Sequence, residues 1–263
     1  MIDLIRKEIS EQGCFLLSNH LTDNIADALA FINKILNKLA LVNNFTDYTI
    51  NTSLSGDQLL AARNNFYLEM HNADRDIFWN CLERLRDLAA KLLGEEVNMA
   101  GRLYVRLIFP SFYDPESHTF AHQDYQVFSG EVDMLTFWVP LINCSRQTST
   151  LQVAKRSHFE GVHSVERTQS SNKYKMYQIR ESSNLKWTND SYNLGDVMIM
   201  HSLLVHKSSP NFSNQVRVSF DARFYGKSRR KPVQTPMQSW LNSESKTDFD
   251  GALWRKSIFC NKE

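Results

Sequence analysis

A chain of 263 residues with 42% hydrophobic and 22% charged side chains has the composition of a globular protein with a sizeable core. A formal net charge of +1 provides no field for drawing in nucleic acid or an anionic membrane surface. The opening MIDLIRKEIS is too polar for a signal peptide, and no apolar run is long enough to span a bilayer.

Four widely separated cysteines (Cys14, Cys81, Cys144, Cys260) form no C-x-x-C pair, so reduced thiols and a cytoplasmic location are expected. From Thr22, apolar residues recur at Ile25, Leu29, Ile32, Leu36 and Leu39, which predicts a helix with Thr22 as its N-cap. A second helix is expected from about Asp74 to Leu93, with Ile77, Cys81, Leu85, Leu88 and Leu92 on one face and Gly94 as its stop. After Gly94 the pattern changes. GRLYVRLIFP (101–110), EVDMLTFWVPLI (131–142), TLQV (150–153), DVMIMH (196–201) and VRVSFDARFY (216–225) are short runs rich in β-branched and aromatic residues. Polar turns separate them, and no repeat or low-complexity segment is present. A mainly β body with flanking helices follows: a sandwich or barrel rather than alternating βαβ units. A single domain is expected, with residues 1–99 as helical support and lid, 100–226 as the core and 227–263 as a tail. The polar stretch from about 168 to 193 is either a functional loop or partly disordered. The basic run KSRRKP (227–232) is expected to be a solvated turn.

In FAHQDY (120–125), His122 and Asp124 would share a face if the segment is a strand, close enough for one ion to take a nitrogen and an oxygen. A second His-x-acid pair, His158 and Glu160 in SHFEG, shows that such a pair alone is weak evidence. GDVMIMHSLLVHKSSPN (195–211) opens on a turn at Gly195-Asp196 and supplies a third candidate ligand, His201 or His206. Two histidines and a carboxylate that leave open positions are the ligand set of non-haem iron oxygenases. In QVRVSFDARFY (215–225), strict alternation puts Val216, Val218, Phe220, Ala222 and Phe224 on one face and Arg217, Ser219, Asp221, Arg223 and Tyr225 on the other. If that second face lines a cavity, the Arg217 fork beside the Ser219 hydroxyl is matched to a carboxylate.

His122-x-Asp124, the distant His206, Arg217 eleven positions later, and the phrases TFWVPLI (136–142), LQVAKRSHFEG (151–161) and GDVMIMHSLLVHKSSPN together resemble the phytanoyl-CoA dioxygenase-like branch of the Fe(II)/2-oxoglutarate oxygenases, over about residues 100–226. The resemblance implies a double-stranded β-helix, a cupin-like jelly roll with helices packed outside. It implies His122, Asp124 and His206 as iron ligands, and Arg217, with Ser219, on the distal carboxylate of 2-oxoglutarate. Trp138 would lie near the co-substrate, and Arg106 would make a further polar contact. Iron(II), 2-oxoglutarate and dioxygen would together hydroxylate a small molecule, releasing succinate and carbon dioxide. The carboxylate of Asp124 favours hydroxylation over halogenation. One departure is Lys155-Arg156-Ser157-His158 where the family usually has a proline-glycine turn, which bears on the local turn geometry and offers His158 a structural role.

The cavity mouth is expected from residues 43–72, from the 168–193 stretch and from the tail near Trp240 and Trp254. Tyr48, Arg63, Asn65, Tyr67, Tyr174 and Trp187 in these segments suit a small polar or amphipathic substrate better than a fatty acyl-CoA. His71, His118 and His163 are expected at the surface or in loops. Two rival readings are a cupin-like metal-dependent isomerase or hydrolase, which has no need of Arg217, and a non-catalytic jelly roll binding a sugar or other small molecule.

Overall fold

The computed structural model describes residues 1–72, 75–169, 177–180, 185–234 and 254–260. The chain opens with α1 (Ile2–Gln12), which buries Ile5 and Ile9 one turn apart and stops at Gly13, whose φ of 81° is left-handed. β1 (Cys14–Leu17) and α2 (Ala26–Lys38) follow. The expected inner face of α2 is real, but Thr22 does not cap it: Ile25 stands at the cap without a side-chain bond. Residues 21–24 form a turn, with the Asn24 N–H on Leu21 O, that is held from outside by the Leu21 N–H donating to Gly195 O. After a short hairpin, β2 (Val42–Asn44) and β3 (Thr49–Ile50), comes α3 (Gly56–Asn72), which buries only Leu59 and Phe66. The predicted second helix is a 3₁₀ turn, Arg75–Phe78, leading into α4 (Trp79–Leu93) with Gly94 at φ 76° as its stop.

The remaining strands are β4 (Val97–Met99), β5 (Tyr104–Ile108), β6 (Phe128–Ser129), β7 (Leu135–Pro140), β8 (Leu151–Val153), β9 (Val165–Arg167), β10 (Tyr177–Ile179), β11 (Val197–His201), β12 (His206–Ser208), β13 (Arg217–Gly226) and β14 (Val233–Gln234). The large sheet runs β1-β11-β7-β13-β4, with β5 also paired to β13, and all these pairings are antiparallel. β1 and β4, from the first hundred residues, are therefore strands of this sheet. The outer face of β13 carries Val218, Phe220, Ala222 and Phe224, all buried, and α4 packs over it. Each such apolar side chain removed from water contributes roughly 1.5–3 kcal/mol. The inward row of β13, Arg217, Ser219, Asp221 and Arg223, is buried as well. A smaller layer consists of β8 and β12, extended by isolated bridges His122–His206 and Ala154–Trp187. Side chains of both layers line one pocket, where Trp138, Arg217 and Arg223 meet Leu151, His206 and Ser208.

The turn before β11 forms as expected. Gly195 has φ 81°, and a Cβ there would meet Thr22 backbone atoms at 2.8 Å. Asp196 braces the turn by accepting the Asn19 and Asn193 N–H groups, each at 2.8 Å. Residues 227–231 of KSRRKP are exposed and Pro232 is buried, with Lys227 bonded to Glu96 and Arg229 to Glu95. Trp254 does not stand at a cavity mouth: it packs edge-on against His158 and His201. Its segment is pinned by Asp133, which accepts from Ser257 Oγ (2.6 Å) and the Ile258 N–H (3.1 Å). Tyr174 and Trp240 lie outside the described residues. Among the described residues, no helix is long and apolar enough to cross a membrane.

Candidate active site

His122 and Asp124 reach the same point by a different backbone route from the one expected. They do not share a strand: His122 makes a single antiparallel bridge to His206, with N–H···O distances of 3.0 Å both ways, and Asp124 opens a one-turn helix, α5 (Asp124–Val127). Gln123 accounts for the change of path. Its fully buried amide donates to Gly161 O (2.7 Å) and Leu203 O (2.6 Å) and accepts from the His163 N–H, fixing the chain between the two residues.

One ligand atom each from His122, Asp124 and His206 lies within 4.8 Å of the others. His122 Nε2 is 3.8 Å from Asp124 Oδ1, and His206 Nε2 is 4.0 Å from Oδ2. Each imidazole has its Nδ1 on a backbone carbonyl, Phe120 O at 2.8 Å and Leu204 O at 3.0 Å. A carbonyl only accepts, so Nδ1 carries the proton and the Nε2 lone pair of each ring faces the shared centre. Burial, and then the neighbouring His206, push His122 down to about 3; burial also lowers His206. Both rings are neutral at physiological pH. Burial works against ionisation of Asp124, but Arg223, then His206 and His122, outweigh it and hold its carboxyl well below the usual range.

Asp124 is gripped at both oxygens: Arg223 Nη2 donates to Oδ1 at 2.9 Å and Thr136 Oγ1 to Oδ2 at 2.5 Å. Arg223 Nη1 reaches Asp221, which also accepts from Arg106 Nε at 2.7 Å. A chain of alternating charge thus runs Arg106–Asp221–Arg223–Asp124. Arg223 and Thr136 were not singled out from the sequence, although the alternation of β13 already placed Arg223 on the same face as Arg217.

Arg217 is 1% exposed and has no carboxylate partner among the described residues. Its Nη1 donates to Ser219 Oγ and its Nη2 to Ser208 Oγ at 3.2 Å, while Nε is buried with no partner. Burial pulls its pKa down to about 10, the mark of a cation whose counter-charge the protein does not provide. Trp138, buried against Tyr192, lies under the guanidinium with Arg217 Cζ 5.6 Å from its ring centre. Two neutral imidazoles and a carboxylate suit a divalent transition metal, and a buried guanidinium with two hydroxyls suits the carboxylate of a bound acid.

The other histidines go elsewhere. His201 points away, with Nε2 3.2 Å from Ser257 Oγ, and His158 bonds through Nε2 to Ser10 O at 3.0 Å. His163 is buried in its loop, His118 is half-buried and His71 is exposed. Of the residues expected at the mouth, Tyr48 is buried on Asn33, Arg63 is closed on Asp114, and the Trp187 ring lies 4.0 Å from Lys207 Nζ.

Residues 21–219 match the model of a family described as phytanoyl-CoA dioxygenase (PhyH). Over 167 residues the chain is 29% identical to a 1-deoxypentalenic acid 11-beta-hydroxylase of Streptomyces arenae, covering 59% of this chain and 58% of that protein. The chain thus spans less than two thirds of that relative's length. EvdO2 from Micromonospora carbonacea var. aurantiaca, solved with 2-oxoglutarate, superimposes with a TM-score of 0.58 at 15% identity, covering 91% of this chain and 96% of its own. The epimerase SnoN, solved with Fe3+, alpha ketoglutarate and nogalamycin RO, gives a TM-score of 0.56 at 15% identity, covering 90% and 86%. At such identities the likeness establishes the fold, a double-stranded β-helix with flanking helices.

Proposed function

This chain belongs to the phytanoyl-CoA dioxygenase family, and from that premise we propose that it is an Fe(II)/2-oxoglutarate-dependent dioxygenase that hydroxylates a small molecule, with release of succinate and carbon dioxide. One observation carries the reading: a buried guanidinium without a counter-charge, Arg217, lines the same pocket as His122 and His206, beside the carboxylate of Asp124. A cupin-like hydrolase or isomerase has no use for Arg217, and a passive binding module has no use for the three clustered ligand atoms.

His122 and His206 would hold iron(II) through Nε2, and Asp124 through one oxygen, leaving positions open on the pocket side. Bound there with 2-oxoglutarate and dioxygen, the iron supplies the oxidising power that replaces a substrate hydrogen by hydroxyl. The chain's own residues do the rest. Arg217 would pair with the distal carboxylate of 2-oxoglutarate through its fork, with Ser219 beside it and Trp138 as a flat wall. Backbone carbonyls fix both imidazole tautomers, and Arg223 and Thr136 fix the carboxylate. Buried Met200 and Leu151 exclude water from the walls. With the carboxylate of Asp124 among the groups that would hold the iron, hydroxylation would be favoured over halogenation.

The substrate is read as small and polar or amphipathic; the Streptomyces relative acts, by its name, on a carboxylic acid. We read the chain as one domain, with residues 1–99 as support, 100–226 as the catalytic core and 227–263 as a tail. Its free, mostly buried cysteines suit the reducing cytoplasm. The test is anaerobic titration of the purified protein with Fe(II) and then 2-oxoglutarate. A visible metal-to-ligand charge-transfer band is expected; a folded, iron-loaded protein without that band overturns the proposal.

A further inference from the structure

Arg106 is a partly exposed cation of the pocket whose two Nη groups are unused among the described residues. Its Nε is taken by Asp221 Oδ1 at 2.7 Å, and the Tyr104 ring lies 5.9 Å from its Cζ. Its Nη1 and Nη2 have no partner among the described residues, and its side chain is 35% exposed while lining the pocket. Arg217, two strand positions along the same wall, is by contrast 1% exposed. Depth separates the two. Arg217 sits at the closed end with Ser219 and Ser208, whereas Arg106 looks toward the open side.

Charge balance points the same way. The pocket and its carboxylate network hold Arg106, Arg217 and Arg223 against Asp124 and Asp221, with His122 and His206 each keeping an Nδ1 proton on a backbone carbonyl and an Nε2 lone pair for the metal. Under the reading above, the two charges of the metal are met by Asp124 and the near carboxylate of the co-substrate. Arg217 is then matched by the distal carboxylate, and Arg223 and Arg106 share the one remaining carboxylate, Asp221. One cationic face remains over, that of Arg106. Lys207 also lines the pocket, but its ammonium lies over the Trp187 ring, 4.0 Å from the ring centre. A half-buried guanidinium with a free edge is most strongly satisfied by a planar oxyanion that can accept two parallel bonds.

We propose that the free edge of Arg106 is the substrate anchor and that the substrate carries a carboxylate, which this edge grips while the carbon to be oxidised lies over the His122–Asp124–His206 centre. This inference rests on the oxygenase reading. It also separates Arg106 from the co-substrate contact expected from the sequence, because both charged ends of 2-oxoglutarate are already assigned.

The test uses the whole protein loaded anaerobically with Fe(II) and saturating 2-oxoglutarate. The probes are cyclohexanecarboxylate and decalin-2-carboxylate, each against its own primary amide, and the readout is perturbation of the charge-transfer band. The acids are expected to bind at least ~10-fold more tightly than the amides, since a charge-assisted pair outweighs a neutral one. Arg106→Gln is expected to erase that preference while leaving the 2-oxoglutarate dissociation constant within about twofold, and Arg106→Lys to restore part of it. Equal perturbation by acid and amide, or by neither, overturns the proposal in the wild-type protein, whatever the variants do. Loss of 2-oxoglutarate affinity in Arg106→Gln with the acid preference intact overturns it too, and returns Arg106 to the co-substrate. Failure of the wild-type protein to show any band is a separate result and sinks the oxygenase reading itself.

Discussion

Arg223 holds Asp124. Its Nη2 donates to Oδ1 at 2.9 Å, and its other arm closes on Asp221, two residues back on the same strand. With Thr136 on Oδ2, the carboxylate is fixed in rotation before any metal arrives. Orientation by such outer partners is what sets the affinity and geometry of a metal site.

Arg223→Met should therefore damage both fold and site. It leaves buried Asp124 without a cation and Asp221 with Arg106 alone, which is expected to cost about 3–5 kcal/mol of stability. Iron(II) or cobalt(II) affinity is expected to fall by roughly 10–100-fold. Urea denaturation and anaerobic metal titration read the two effects separately, and Arg223→Lys should recover part of each. Unchanged metal affinity in a folded variant would mean that Asp124 orients itself.

Arg217→Ala removes a buried guanidinium that lacks a carboxylate partner among the described residues, so here loss of affinity need not bring loss of fold. Removing one member of a buried charge pair costs about 2–5 kcal/mol of binding, so 2-oxoglutarate is expected to bind at least ~30-fold more weakly. Ser219→Ala should cost far less, about 0.5–1.5 kcal/mol for one neutral hydrogen bond. Both follow from the charge-transfer titration, with the affinity for metal alone unchanged. An Arg217→Ala protein that holds 2-oxoglutarate normally would place the co-substrate elsewhere.

The β core was legible because burial on one face imposes a period of two. β5, β7, β8 and β11 fall within the runs picked out from the sequence, and β13 overruns its own only by Gly226. The inward row of β13 was legible for the same reason, and with it the place of Arg217 and Ser219. What could not be read came from contacts distant in sequence. α3 buries only two residues, so its stripe is too thin to detect. Thr22 looked like a cap because the pairing of Leu21 with Gly195, 174 positions away, leaves no local trace. The His122–Asp124 pair was found, but on the wrong backbone, because the bonds of Gln123 to Gly161 and Leu203 turn a strand into a bridge and a helical turn. Which strand charges pair across the barrel, as Arg223 does with Asp124, depends on the closure of the barrel and not on any periodicity.

His158 should make the metal-free protein sensitive to acid. Burial, and then the nearby His201, hold it at about 3, well below the ~6.5 of an unfolded chain. Above pH ~6.5 neither state is protonated and nothing is lost. Below it the unfolded chain gains a proton that the folded one refuses, so stability falls by about 1.4 kcal/mol per pH unit until the folded value is reached. Replacement by His158→Gln keeps a donor for Ser10 O without the titration. Urea unfolding of the metal-free protein between pH 7.5 and 5 should give a shallower decline in the variant, by one proton's worth. Parallel slopes would mean that His158 is protonated in the fold.

The turn that departs from the family's proline-glycine pattern offers the last test. Arg156 has φ 70°, in the left-handed region that a glycine occupies freely, and it caps the 3₁₀ turn of residues Ser157–Glu160. A side chain in that conformation costs about 1–2 kcal/mol. Arg156 recovers part of this by lying over the Phe159 ring, with its Cζ 4.9 Å from the ring centre, an exposed cation–π contact of about 0.5–1 kcal/mol. Arg156→Gly removes the strain and the stacking together, and relief of the strain outweighs loss of the stacking. The variant is expected to be stabilised by up to ~1 kcal/mol, whereas Arg156→Val, whose β-branch deepens the strain at positive φ, loses the stacking as well and is destabilised by ~1–2 kcal/mol. Urea midpoints of the two variants check the sign. A destabilised glycine variant would show that the stacking of Arg156 on Phe159, and not the backbone conformation, holds the turn in front of His158.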